Sequence, residues 1–386
     1  MKLVFALYKY FPYGGLQQDM LSIAKECAAR GHEVSIFCRS WECDLPFQPP
    51  SQQGENKKIS INLLPGRALT NQGKNRLFGE QFNKAMQRIK PDLVIGFNKI
   101  PGIDVYYAAD TSFKAKLYRE RPWFYRWLPR YRHHVHEEAA LFGQNSATHI
   151  LAISKSTIEE YRDFYQTAAQ RFTLLSPGIS RDRINANGER LYQLHQELEL
   201  TEDKLIVLMV GSGFRTKGLD RAIKAIAALP EDVKRDVHLV VAGQDHRKVF
   251  LQQAVQQGIE DQVHFLGGRK DVPRLLRSAD VLIHPAYREA GGIVLLEAAV
   301  AGLPVLTTDV CGYAHYIADN NLGVVLPSPF DQTRLNNALL AALTDAEKIK
   351  KWRHNGLAFA QLADIYSMPQ KAADAIEAVA WQREYS

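Results

Sequence analysis

Glu289-Ala-Gly-Gly-Ile-Val-Leu-Leu-Glu297 sets two carboxylates, with seven residues between them, across a strand-to-helix junction. Upstream, Val281-Leu-Ile-His284 is a short apolar run and Pro285-Ala-Tyr287 a turn. Downstream, Ala298-Ala-Val-Ala-Gly302 consists of small residues that suit close packing. That order predicts strand, loop and helix. Glu289 then falls on the loop, just before a helix that starts near Gly291 and carries Glu297 two turns in. Gly291 and Gly292 put no side chain over the first helical amides, and a helix amino end attracts anions. With Ile293 beginning the apolar face, the junction reads as a phosphate cradle flanked by two hydroxyl acceptors.

The same alternation recurs along the rest of the chain. In the first half, residues 2–8, 33–38, 59–64, 93–97, 105–108 and 149–153 have strand character. Residues 16–29 and 76–89 have helical periodicity, another helix ends near Asn145, and residues 40–58 read as a loop. Ser176-Pro177-Gly178 punctuates the chain and residues 180–203 are polar. Strands then recur at 205–210, 237–242, 263–266, 281–284 and 305–307, with helices from Gly218, to about Gln257 and to Ala301. Strands alternating with helices argue for parallel sheets covered on both faces. The expected fold class is α/β, with two doubly wound, Rossmann-like domains, 1–177 and 178–365, facing a central cleft. Residues 366–386 form a last helix, about 369–381, expected to pack back on the first domain. Ligands of such sheets bind beyond the carboxyl ends of the strands.

Of 386 residues, 46% are hydrophobic and 23% charged, the balance of a soluble globular protein. Four cysteines show no metal spacing and suit a reducing cytosol. No apolar run reaches the 18 or so residues of a membrane span, and Lys2-Leu-Val-Phe-Ala-Leu-Tyr8 is too short for a signal-peptide core. The net charge is +6, and residues 113–136 hold seven cations against one acid, Glu120, so this segment carries the whole excess. Within 113–132, Lys114, Lys116, Arg119, Arg126 and Arg130 are interleaved with Trp123, Phe124 and Trp127. Amphipathic aromatics beside cations suit an interface with anionic lipid. The competing readings are a nucleic-acid patch or a solvated loop, and Pro122 and Pro129 argue against one continuous helix.

Other candidates sit at strand ends, each with a plainer alternative. Gly14-Gly15 is either a tight turn or a loop whose bare backbone approaches a phosphate or sugar. Asp19, placed in the first turn of its helix, either complements the dipole or accepts a hydroxyl. Asp110 is either an N-cap or a second acceptor. Val210-Gly-Ser-Gly-Phe-Arg-Thr-Lys-Gly-Leu-Asp220 is neither a dinucleotide fingerprint nor a P-loop. It sets Arg215 and Lys217 where they would neutralise a diphosphate. Arg269 and Arg183 either line the same pocket or are surface charges. No two Asp residues are separated by a single residue, so a D-x-D metal signature is absent from the sequence.

The two glutamates, the glycine loop and the Lys-Gly turn together resemble those of retaining GT-B glycosyltransferases of family 4. Leu7-Tyr-Lys-Tyr-Phe-Pro12, Gly96-Phe-Asn-Lys99, Tyr131-Arg-His133, His284-Pro-Ala-Tyr287 and Val310-Cys-Gly-Tyr-Ala-His-Tyr-Ile-Ala318 are similar to the lipopolysaccharide core glucosyltransferase I group. The likeness runs from Met1 to Tyr366-Ser-Met-Pro369. It implies a UDP-sugar donor, UDP-glucose in the best-known members, and transfer to a heptose of the lipopolysaccharide inner core. Configuration would be retained and no metal or other cofactor required. It further implies that Glu297 holds the ribose, Glu289 the sugar, and Lys217 with a nearby Arg the diphosphate. Arg269 and Arg183 would line the nucleotide pocket, and Asp19 with Gly14 and Gly15 would complete the site. The acceptor falls to the first domain, and segment 113–132 to anionic lipids on the cytoplasmic face of a Gram-negative inner membrane, with no nucleic acid involved. Two departures stand out: Ser212 occupies a position where the wider family often has Arg, and Asp110 lies where it often has His. A sugar-nucleotide epimerase of the same fold, or transfer from UDP-galactose or a UDP-N-acetylhexosamine, are the alternatives.

Overall fold

A computed structural model describes residues 1–12, 14–42, 59–66, 68, 70–181 and 190–384. Arg183, Cys43 and most of the expected 40–58 loop lie outside the described residues. The chain divides into two compact units, Met1–Gly178 with Tyr366–Ser386, and Ile179–Ile365.

The first unit holds a seven-stranded sheet made of β1 (Lys2–Tyr10), β2 (Glu33–Trp41), β3 (Ile59–Leu63), β4 (Leu93–Gly96), β5 (Val105–Ala108), β6 (His149–Ala152) and β7 (Phe172–Leu174). The order is β3-β2-β1-β4-β5-β6-β7, and every paired neighbour is parallel. Strand order reverses between β1 and β4, the place where a doubly wound sheet opens for a ligand. Near-continuous apolar strands follow from burial on both faces: Leu3, Val4, Phe5, Ala6 and Leu7 are all buried. Helix Gly15–Ala29 buries Met20, Ile23, Ala24 and Cys27 at helical spacing. Helix Met368–Glu384 belongs to this unit and buries Ala372, Ala373 and Ile376. Arg30 fixes it by ion pairs to Asp374 at 2.6 Å and Glu377 at 3.0 Å, and Arg383 pairs with Asp104 at 2.6 Å.

The second unit holds a six-stranded sheet of β8 (Leu205–Val210), β9 (Val237–Ala242), β10 (Val263–Gly267), β11 (Val281–His284), β12 (Val305–Thr308) and β13 (Gly323–Leu326). The order is β10-β9-β8-β11-β12-β13, again parallel throughout. Here the reversal falls between β8 and β11, so the loops after those two strands are neighbours. Val207, Met209, Ile223, Ile226, Leu239 and Ile283 centre its core. Each such side chain contributes roughly 1.5–3 kcal/mol by leaving water, which gives the loops above a rigid platform.

Candidate active site

The loop after β8 and the loop after β11 lock together. Gly218 has φ +81° and lies so close to the second loop that a Cβ would stand 2.1 Å from the Pro285 oxygen. A side chain is excluded there both by that contact and by the left-handed backbone. The Tyr287 amide donates to the Thr216 carbonyl at 2.8 Å. Arg221 donates to the Pro285 and Ala286 carbonyls, each at 3.0 Å, and its guanidinium lies 3.6 Å from the Tyr287 ring centre and 3.7 Å from that of Phe330. The Tyr287 hydroxyl donates to Asp220 at 2.7 Å.

On this platform Lys217 Nζ forms an ion pair with Glu289 Oε2, and the two side chains are only 20% and 15% exposed. The backbone of Glu289 is held as well: its carbonyl accepts from Gly312 at 3.1 Å, and the Gly291 carbonyl accepts from Tyr313 at 2.9 Å. Helix Ile293–Val300 starts two residues later than the sequence predicts. Gly292 is its N-cap at φ +92°, and no side chain caps it. Its amino end faces the same loop, as an anion site requires. Glu297 lies on the second turn and is half-buried. Arg215 is exposed, 5.8 Å from the Tyr287 ring. The structure thus puts Arg215, Lys217, Glu289, Gly291 and Gly292 on two interlocked loops, with Ile293 and Glu297 on the helix that follows.

His284 ends β11 directly beneath Glu289. It is 1% exposed, its Nε2 stands 3.4 Å from Glu289 Oε2, and neither ring nitrogen has a hydrogen-bond partner. Burial, reinforced by the Lys217 charge, lowers its pKa to about 3, so the ring is neutral at physiological pH.

Other expected residues stand differently. Asp19 is the fifth residue of its helix, whose first turn carries no acid. It accepts from the Tyr107 hydroxyl at 2.8 Å, a tie across to β5 rather than a dipole contact. Asp110 does not cap a helix; Ser112 does, accepting from the Ala115 amide at 3.1 Å, and Asp110 is exposed. Gly14 is the N-cap of helix Gly15–Ala29 and supplies no side-chain bond. Arg269 is held by Asp271 and Glu197 in a network shared with Arg274, so its charge is already neutralised in place.

The basic aromatic segment forms helix Phe113–Glu120, a 3-10 turn Trp123–Trp127 that follows Pro122, and helix Pro129–Phe142 with Pro129 at its start. Trp123, Phe124 and Trp127 are 68%, 51% and 71% exposed, a non-polar cluster facing solvent. Arg130 is exposed beside it, and Arg126 stacks on Tyr118 at 3.8 Å. Arg119 pairs with Glu160 at 3.0 Å, and Lys116 is half-buried. Lys114 departs from expectation: it turns inward, donates to the Phe164 carbonyl at 2.7 Å and lies over the Tyr165 ring.

The residue beneath this segment that sequence reading misses is Glu138. It is fully buried and pairs with Lys99 at 2.6 Å. It also accepts from the Ser112 hydroxyl, the Phe113 and Lys114 amides and the Tyr165 hydroxyl. Burial alone would raise its pKa; Lys99 and the two amides outweigh burial and hold the carboxyl below its ordinary value. No local spacing announces it, because its cation lies 39 residues away.

Two parallel doubly wound sheets, with a cation-carboxylate pair over the reversal point of the second, are the architecture of GT-B glycosyltransferases, and the comparisons place the chain among them. Residues 13–183 match the family model described as Glycosyltransferase Family 4, and residues 193–359 the one described as Glycosyl transferases group 1. The lipopolysaccharide glucosyltransferase WaaG of Escherichia coli (strain K12) is 43% identical over 380 residues, 97% of this chain and 98% of that protein. The crystal structure of WaaG, a glycosyltransferase involved in lipopolysaccharide biosynthesis, superposes with a TM-score of 0.90, covering 97% of this chain and 99% of that one. The chain belongs to the lipopolysaccharide glucosyltransferase WaaG family. More distant is the D-inositol 3-phosphate glycosyltransferase of Stackebrandtia nassauensis, 24% identical over 87% of this chain and 80% of that protein. The Anabaena Alr3699/HepE structure in complex with UDP and glucose shares the fold at a TM-score of 0.72 and 18% identity, covering 98% of this chain and all of that one.

Proposed function

We propose that this protein transfers glucose from UDP-glucose to a heptose of the lipopolysaccharide inner core, with retention at the anomeric carbon and without a metal ion. The observation that carries the reading is the Lys217–Glu289 pair beside the amino end of helix Ile293–Val300. The name of the 43% identical relative supports the choice of sugar and acceptor. In this reading the donor diphosphate takes Lys217, Arg215 and the helix amides as its partners. Glu297 accepts from the ribose hydroxyls and Glu289 from those of the sugar. The anomeric carbon exchanges its bond to the diphosphate oxygen for one to the acceptor oxygen, with UDP and the acceptor proton as co-products. Charge grows on the diphosphate as its bond breaks, so fixed cations and amides stabilise the transition state more than the ground state. Asp19 and Asp110 are the candidate acceptor-side carboxylates of the first unit.

Trp123, Phe124, Trp127 and the cations around them, Arg126 and Arg130 among them, form a peripheral contact with anionic lipid at the inner face of the cytoplasmic membrane. Aromatic rings placed at head-group level supply the binding, and the cations add the preference for anionic lipid. Among the described residues no helix is long and apolar enough to cross a membrane.

The test is a panel of UDP-glucose, UDP-galactose and UDP-N-acetylglucosamine with a deep-truncated, heptose-terminated lipopolysaccharide, followed by linkage analysis. An α-glucosyl product formed equally well in the presence of a chelator is expected. Turnover that requires added magnesium or manganese would contradict the metal-free part, and preference for another sugar would replace glucose as the substrate.

A further inference from the structure

Glu289 Oε2 is approached from two sides, by Lys217 from the β8 loop and by His284 from the end of β11. Lys217 makes the closer contact. His284 Nε2 is left at 3.4 Å, and both ring nitrogens are buried with no hydrogen-bond partner. Buried polar atoms are nearly always satisfied, so an orphaned imidazole against a carboxylate needs an explanation. The other groups around it supply none. β11 runs between β8 and β12, the His284 carbonyl accepts from the Thr307 hydroxyl at 3.1 Å, and that bond leaves the ring untouched.

The inference rests on the roles given above to Glu289 and Lys217. A diphosphate that engages Lys217 draws it away from Glu289 and leaves a carboxylate, only 15% exposed, without its cation. Such a group would take up a proton or swing toward water, and either change would spoil its contact with the sugar. We propose that His284 is a positioning residue for the transfer: its Nε2–H becomes the hydrogen-bond partner that holds Glu289 once Lys217 has turned to the donor diphosphate. The histidine touches neither sugar nor phosphate and acts through Glu289. Neutral imidazole suits this task because one ring nitrogen donates without adding a second positive charge beside Lys217. A movement of a few tenths of an ångström brings 3.4 Å into hydrogen-bond range.

Two substitutions separate this from a packing role. His284→Leu fills the space without a donor, and His284→Gln keeps an amide donor near the Nε2 position. In the full-length protein, His284→Leu is expected to unfold at or above the wild-type temperature, because it removes an orphaned polar group. Calorimetry should show UDP affinity within about 2-fold of wild type, since the nucleotide does not touch the ring. The kcat with UDP-glucose and heptose-terminated lipopolysaccharide should fall about 10-fold or more at little changed donor KM, with most of it restored in His284→Gln. A leucine variant with wild-type kcat, beside a Glu289→Gln control that has lost turnover, overturns the inference and leaves the assignment of Glu289 intact. A Glu289→Gln enzyme with full turnover, or a wild-type enzyme with none, removes that assignment and the inference with it. A crystal of the wild-type protein with UDP gives a check that needs no variant. Expected there are Lys217 on phosphate and Glu289 within about 3 Å of His284 Nε2; Lys217 still on Glu289 contradicts the exchange.

Discussion

Lys217 has a choice of anions. In the structure its ammonium lies on Glu289, held by a loop that cannot back away because Gly218 is wedged against Pro285. A cation already mostly desolvated beside the site need only turn from one anion to the other when a diphosphate arrives. Removing one preorganised group that stabilises developing charge costs about 100-fold or more in rate. Lys217→Ala is therefore expected to lower kcat by about that factor with saturating donor, while Lys217→Arg retains part of it. Initial rates at saturating UDP-sugar decide the matter, and an unchanged kcat in the alanine variant removes Lys217 from the chemistry. Arg269 contrasts with Lys217. Its guanidinium is committed to Glu197 and Asp271, so it serves first to tie the loop after β10 to the chain near Glu197.

Among the elements, the segment spanning 113–142 joins two kinds of function. Its exposed face carries Trp123, Phe124 and Trp127, and its buried end is fastened by Glu138 to Lys99, Ser112 and Tyr165. Trp123→Ala with Trp127→Ala is expected to weaken binding to vesicles of anionic phospholipid by about 10-fold or more, since each indole leaving water is worth a few kcal/mol. Turnover on a soluble acceptor should persist; co-sedimentation and solution assays together read the two effects. Glu138→Gln removes the charge that satisfies Lys99 in the interior. Breaking such a buried pair costs roughly 3–5 kcal/mol, so a fall of several degrees in the unfolding temperature is expected, read by calorimetry. Elements like β8 and β11 could be read from sequence because an unbroken apolar run is what burial on both faces demands. The short edge strands β7 and β13 could not, since three or four residues with one face partly open carry little pattern. The glutamate-glycine junction was legible because its chemistry is local. Glu138, His284 and the Tyr107 partner of Asp19 were not, because each acquires its meaning from a contact across strands or helices that spacing along the chain does not encode.

For the whole molecule, three buried ionisable groups drive stability in the same direction. His238 is buried beside His264 at 3.0 Å, and burial first, then that neighbour, lowers its pKa to about 4. His284 is lowered to about 3, again chiefly by burial. Both stay neutral in the folded chain at pH values where an unfolded histidine, with its ordinary value of 6.5, already takes up a proton. The unfolded state then binds more protons, so stability rises with pH across that window. Their contribution is fully present above about pH 6.5 and is lost as pH falls toward the folded values near 4 and 3. Glu138 adds to the same trend lower down: held below its ordinary 4.5 despite burial, it stabilises the fold above that pH and ceases to as acid protonates it. One histidine lies in the core of the second unit, one under its candidate active site, and the glutamate beneath the aromatic segment of the first. Both units therefore lose stability on the acid side. The unfolding temperature should be nearly flat from pH 8 to 7, decline from about pH 6.5, and fall more steeply below about 4.5. Replacing His238 by Gln, which cannot titrate, should flatten the decline between pH 6.5 and 4 relative to the wild-type protein. Scanning calorimetry across that range tests it, and equal slopes in the two proteins would assign the acid sensitivity to other groups.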